Sequence, residues 1–148
     1  VHVVWGWLQI GDIVNVDTCS PESLPWARSH PHFHHRPSAN NTLYIANTTL
    51  DLPRVARRAP GAGVFPYYSQ ALQLTDPSGL RVSDWRVPAW MSPIAGRPPL
   101  SYHSNPERWT GSGITLSLQT VGRGQEFVLD ASYYPEAGDW LNAFPFAV

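Results

Sequence analysis

The stretch WARSHPHFHHRP, residues 26–37, holds four of the six histidines of the chain within six positions. If it is extended, His30, His32 and His34 share one side of the chain and His35 points the other way. Imidazoles so arranged could act as acid–base groups, contact a ligand or bind a metal. A proline-stiffened loop with solvated histidines is the alternative. Because the spacings of familiar zinc modules are absent, we expect acid–base or ligand contacts and no metal.

A second polar group lies in LSYH, where a hydroxyl, a phenol and an imidazole follow one another at Ser101, Tyr102 and His103. We take His103 as a catalytic candidate and Tyr102 as a ligand contact. The alternative is a strand end in which Tyr102 packs against the protein and His103 caps a neighbouring group.

The third candidate segment is GRGQEFVLD, whose alternation places Gln125 on the same side as Phe127. A glutamine directed at an apolar surface needs partners, and its amide can donate to and accept from a base edge. Arg123 stands between two glycines and could clamp a phosphate. Gln125 and Glu126 are therefore catalytic candidates, and Arg123 and Asp130 are ligand-binding candidates. A plain hairpin with an exposed arginine is the alternative.

Short strands and turns must position these groups. VHVVWGWLQIGDIVNV, NTLYIANTTL, ITLSLQTV and QEFVLDA predict strands, as does the second half of GVFPYYSQALQLT. Residues 17–41 contain four prolines and predict a long irregular connection. SDWRVPAWMSP predicts an extended edge or loop, and PEAGDWLNAF a short helix. We predict a mainly β (α+β) fold with one barrel-like domain over residues 1–148, short helices and a long histidine-rich loop.

Composition limits the classes of function. The net charge of −1 gives no global field that would recruit nucleic acid or a membrane, and the single Cys19 allows no intrachain disulfide. No apolar run approaches the length of a membrane span, so we expect a soluble, cytoplasmic protein with no membrane partner. The chain starts at Val1 inside a predicted strand, so we expect the C-terminal part of a longer protein. The sequence does not identify a cofactor, so the cofactor stays unknown at this point.

Several segments in order, WGWLQIGDIV, WARSHPHF, NTLYIA, GAGVF, LSYH and GRGQEFVLD, resemble the nucleotide modification-associated domain of the third type. The resemblance runs from Val3 to about Trp140. It implies a role beside enzymes that modify DNA bases, either catalytic or in binding a modified base, with a nucleotide or nucleic acid as partner. Because HPHF carries part of the resemblance, His32 is the favoured catalytic histidine and His30 a ligand contact. Family members usually carry a further N-terminal portion. The resemblance therefore implies that this portion of the same protein is a second partner of the chain.

A weaker resemblance, to barrels of the PUA, ASCH and EVE type, rests on VVWGWLQIGDIV followed by a proline-rich loop. It implies a PUA-like barrel that holds a modified base or RNA in a pocket. Whether the protein is an enzyme stays open. The alternative is a nonenzymatic β module that binds nucleic acid, carbohydrate or protein through some of its seven tryptophans.

Overall fold

A computed structural model describes residues 1–56, 58–120 and 126–144. The strands are, in chain order, β1 (Gly6–Leu8), β2 (Ile10–Asn15), β3 (Thr42–Ala46), β4 (Ala62–Val64), β5 (Asp84–Pro88), β6 (Trp109–Thr110) and β7 (Thr115–Gln119), and α1 spans Glu136–Asn142. Short 3₁₀ helices connect them at Val16–Thr18, Pro21–Ser23, Pro25–Ala27, Pro31–His34, Gln70–Leu72, Ala89–Met91 and Pro106–Arg108.

The chain divides into two compact units. The small unit comprises Trp7–Asp51 and Ala59–Gly63, and the large unit comprises Val1–Gly6, Leu52–Arg58 and Val64–Val148. The prediction of one domain over residues 1–148 stays a prediction. Within the described part of the chain, no helix has the length and apolar character needed to cross a membrane.

In the small unit, β2 pairs with β3 in antiparallel register, as the predicted strands of these two segments require. Val16, Ala27 and Leu43 form its buried core, with Val14, Leu24 and Phe33 packed against them. Gly11 forms a bulge in β2, because the register shifts between Ile10 and Asp12. A Cβ on Gly11 would overlap the side-chain oxygen of Asn47 and lie close to the Asn47 backbone, so glycine is favoured at this position.

Residues 17–41 differ from the irregular connection that their prolines predict. Pro21, Pro25 and Pro31 each stand at the first turn of a 3₁₀ helix. The fixed φ of proline suits this position, and its missing N–H is not needed there. The extended geometry expected for the histidines is therefore wrong over Pro31–His34.

In the large unit, β5, β7 and β6 form an antiparallel sheet in that order. The buried core against this sheet consists of Leu74, Trp85, Val87, Met91, Leu100, Leu118 and Tyr134. Asn105 caps the turn Pro106–Arg108 by accepting a hydrogen bond from the Glu107 N–H at 3.0 Å. The sheet and its core therefore place the segment Leu100–Arg108 in this unit.

The mainly β fold with one helix is confirmed, but the barrel is wrong. The described strands form two sheets of two strands and one of three, and they do not close into a barrel. Strands of two to six residues separated by prolines are too short for the regular tilt and stagger that closure needs. The segment predicted as an extended edge is the edge strand β5, and Gln70–Leu72 forms a 3₁₀ turn where a strand was expected. The PUA-like assignment stays a prediction.

Candidate functional site

The small unit carries an open hollow of about 620 Å³, which we call the histidine hollow. Its lining residues all have polar side chains and come from one stretch of sequence: His32, His34, His35, Arg36, Ser38, Asn40 and Asn41. Three of the four clustered histidines therefore face one space.

A single 3₁₀ turn positions these imidazoles. His30 caps it, with its Nδ1 accepting from the His32 N–H at 3.3 Å, and Pro31 follows at the first helical position. Phe33 packs against the core and anchors the middle of the turn. Because a 3₁₀ helix has three residues per turn, His32 and His35 lie on the same side, with ring centroids 6.4 Å apart.

The part of the rim formed by Ser38 and Asn41 is fixed by Asp17. One carboxylate oxygen accepts from Nδ2 of Asn41 at 2.6 Å, and the other accepts from the Ser38 N–H at 2.8 Å. The same amide of Asn41, which is buried, also donates to the His32 carbonyl oxygen at 3.2 Å. These bonds tie the rim to the turn, so the hollow is largely formed before a ligand arrives.

The lining of the histidine hollow is rich in hydrogen-bond donors, and the Asp17 carboxylate is already bonded to two of the lining residues, Ser38 and Asn41. None of the lining residues is acidic, and residues 23–50 contain no aspartate or glutamate. Within the described residues the Arg36 guanidinium forms no ion pair, and the buried Nδ1 of His32 has no hydrogen-bond partner. No three histidine, cysteine or acidic side chains of the described chain converge as a metal site would require.

His103 lies in the large unit and is not exposed to a ligand. Its side chain belongs to a residue only 1% exposed and lies against Trp85 and Phe127, with ring centroids 5.7 and 6.4 Å away. Neither ring nitrogen has a hydrogen-bond partner within the described residues. Burial, and secondarily the charge of Arg108, lower the pKa of His103 and keep the imidazole neutral.

Two of the three predicted segments come together in the large unit. The Ser101 N–H donates to the Val128 carbonyl at 3.1 Å, and the Val128 N–H donates to the Ser101 hydroxyl at 2.8 Å. Tyr102 is exposed at the tip of the turn, with a φ of 64° that an L-residue adopts only at a cost. The segment LSYH therefore lies beside EFVLD, as a shared site would need.

The alternation predicted for EFVLD is present although no strand forms there. Phe127 and Leu129 pack against the core, while Glu126 and Asp130 are exposed. Asp130 accepts from the hydroxyl and the backbone N–H of Ser132, at 2.7 and 3.0 Å, which together lower its pKa. It therefore caps a local turn.

Arg123 and Gln125 lie outside the described residues. Of the other candidates, His30 and His32 belong to the small unit, and Tyr102, His103, Glu126 and Asp130 belong to the large unit. A single cleft shared by all of them stays a prediction.

The sequence reasoning missed Arg36, Ser38, Asn40 and Asn41, although they directly follow the histidines in HHRPSANN. A run of polar residues without a carboxylate was the available signal.

Comparison with known proteins gives one match. The model of the family described as nucleotide modification associated domain 3 matches residues 1–130 of the 148. The match includes the whole histidine hollow and the LSYH turn. No curated protein and no solved structure matches the chain.

Proposed function

We propose, because the chain belongs to the nucleotide modification associated domain 3 family, that its histidine hollow binds a nucleotide in the course of base modification. One observation carries the proposal. Three imidazoles, a guanidinium, a hydroxyl and two carboxamides line a single open hollow with no carboxylate among them. Phosphate and base edges are the groups that such a set of donors recognises.

Arg36 has the central role in this proposal. A guanidinium binds phosphate through two parallel hydrogen bonds, and within the described chain no carboxylate competes for Arg36. His34 and His35 supply further ring N–H donors at the same hollow. The side-chain amide of Asn40 can donate to and accept from the same base edge. It could therefore distinguish one base from another, which the imidazoles alone do not do.

Binding fits the histidine hollow better than catalysis by the predicted set. His103 is buried in the core of the large unit, so it cannot reach a substrate without local opening. Asp130 already holds a turn, as its bonds to Ser132 show. Of the predicted catalytic candidates that the structure describes, His32 is the one that lines the hollow, so proton transfer there would fall to it.

The test is titration of the protein with the four deoxynucleoside 5′-monophosphates by calorimetry. Arg36→Gln removes a charged donor from the hollow and should weaken binding by about 10- to 150-fold, the value of a charge-assisted hydrogen bond. Arg28→Gln is the matched control, because Arg28 is an exposed arginine of the small unit outside the hollow. It should change affinity less than about threefold.

Equal losses in the two variants would show that only net charge attracts the nucleotide and would overturn the assignment of the hollow. Absence of binding at millimolar nucleotide would overturn the proposed function itself. Mass analysis of the recovered nucleotide separates binding from turnover, because a modified base or a released phosphate changes its mass.

A further inference from the structure

Trp26, which lies five residues before Pro31 in the sequence, is open to solvent. It is 69% exposed, and within the described residues its indole makes no hydrogen bond and no ring contact. An indole presents a large flat apolar face, which protein surfaces use to hold aromatic ligands. Single exposed apolar residues are common, so the argument depends on how Trp26 is held.

The turn that carries Trp26 is rigid. Pro25 begins the 3₁₀ helix Pro25–Ala27 with a fixed φ, and Ala27 is buried in the core of the small unit. The Ala27 N–H donates to the Leu24 carbonyl at 2.9 Å, and the Ala27 carbonyl accepts from the His30 N–H at 2.7 Å. Both neighbours of Trp26 are therefore fixed, and the indole is presented at little further cost in entropy.

The basic groups that follow Trp26 form a local cluster in the sequence, whereas the small unit as a whole carries four acidic residues and two arginines. Between residues 23 and 50 the chain carries Arg28, Arg36 and four histidines and no acidic residue. Trp26 and His32 are six residues apart, which limits their separation to about 20 Å even in a fully extended chain. The two intervening 3₁₀ turns shorten it further. That distance lies within the several nucleotides that a single-strand interface covers.

We propose, on the basis of the function proposed above, that the ligand is a single-stranded nucleic acid. One of its nucleotides occupies the histidine hollow, and a neighbouring base stacks on Trp26. Stacking on an exposed indole needs an unpaired base with a free face, and the bases of a duplex have none. A mononucleotide has a single base, so it cannot occupy the hollow and stack on Trp26 at the same time.

The experiment measures binding of a labelled 12-nucleotide oligothymidylate by fluorescence anisotropy, beside calorimetry with thymidine 5′-monophosphate. Trp26→Ala should weaken oligonucleotide binding by about 5- to 150-fold, and Trp26→Phe, which keeps a ring, by less than about fivefold. Neither substitution should change mononucleotide affinity. Trp5→Ala is the matched control, because Trp5 is a similarly exposed tryptophan at 72% and belongs to the large unit.

The possible outcomes separate this inference from the proposed function. Oligonucleotide affinity that is unchanged in Trp26→Ala, or reduced equally in Trp5→Ala, overturns the stacking while Arg36-dependent mononucleotide binding survives. Equal affinity for a 12-base-pair duplex overturns the single-strand class. If the unaltered protein binds neither the oligonucleotide nor thymidine 5′-monophosphate, the proposed function is overturned as well. Because Trp26 is exposed, thermal melting of Trp26→Ala should match that of the unaltered protein and show that the variant is folded.

Discussion

The buried imidazole of His103 leads to a prediction with an unusual sign: His103→Leu should stabilise the protein. A neutral imidazole has one donor and one acceptor, and within the described residues His103 satisfies neither. Leucine has a similar volume and no polar atom, so it fills the space between Trp85 and Phe127 without that cost. We expect a higher free energy of unfolding in this variant.

The magnitude follows from the contacts of His103. Each unpaired buried group costs about 1–3 kcal/mol, so two cost about 2–6 kcal/mol. The substitution also loses the two ring contacts, each of which stabilises the unaltered protein by about 0.5–1.5 kcal/mol, and this loss is subtracted from the gain. At the middle of both ranges, the net gain for His103→Leu is about 2 kcal/mol, which at about 3 °C per kcal/mol in a chain of this length raises Tm by about 6 °C.

The gain should also depend on pH. Because burial lowers the pKa of His103 below the ordinary 6.5, the unfolded chain binds more protons than the folded one as the pH falls below that value. The unaltered protein therefore loses stability below about pH 6.5, until the pH reaches the lowered pKa of the folded state. His103→Leu lacks this loss, so its advantage should be larger at pH 5.5 than at pH 7.5.

Urea unfolding at pH 7.5 and pH 5.5, followed by circular dichroism, measures both effects. His34→Leu is the control, because His34 is an exposed imidazole whose replacement should change the free energy of unfolding by less than about 0.5 kcal/mol. If His103→Leu is less stable than the unaltered protein at both pH values, the ring nitrogens of His103 are hydrogen-bonded in solution and the reasoning is wrong.

Three further predictions concern single contacts. Asn41→Ala removes the amide that bonds Asp17 and should cost about 1–2 kcal/mol in urea unfolding and weaken mononucleotide binding in calorimetry; unchanged affinity would show that the rim is not needed. Gly138→Ala should lower the Tm although alanine favours helices, because the new Cβ would overlap the carbonyl oxygen of Pro53; a higher Tm would contradict this packing. Tyr134→Phe removes a buried hydroxyl that donates to a backbone carbonyl at 2.7 Å, and denaturant unfolding should show a loss of about 1–2 kcal/mol.

Local patterns predicted the elements that local chemistry forms. The β-branched runs of β2, β3 and β7 are strands, and the predicted C-terminal helix is α1. Asn105 caps its turn as its position before Pro106 indicates. In each case the alternation of side chains or a cap within a few residues carries the information.

Pairing and turn type could not be predicted in the same way. Proline at the start of a 3₁₀ turn is equally compatible with an irregular loop, so the turns over residues 16–34 had no distinct signal. Pro88 concealed β5, in which the proline occupies only the last position of the strand. The barrel failed because closure depends on contacts between distant segments, which no short pattern specifies.

Of the residues that line the candidate site, the sequence drew attention only to the histidine cluster. The histidine cluster indicated where the hollow would be. The sequence did not show that Asn41, just before β3, would bond to Asp17, which is 24 residues earlier in the chain. The burial of His103 was not predicted, because histidine is more often partly exposed than fully buried. Its burial follows from the packing of Trp85 and Phe127, residues distant from it in sequence.

The bulge at Gly11 has a consequence for solubility. Within the described chain β2 and β3 pair only with each other, and the facing residues Ile13 and Tyr44 are both exposed. Open strand edges with apolar side chains are templates for intermolecular pairing and aggregation. The bulge disrupts the ladder and increases the local twist of β2, which disfavours extension of the sheet along that strand.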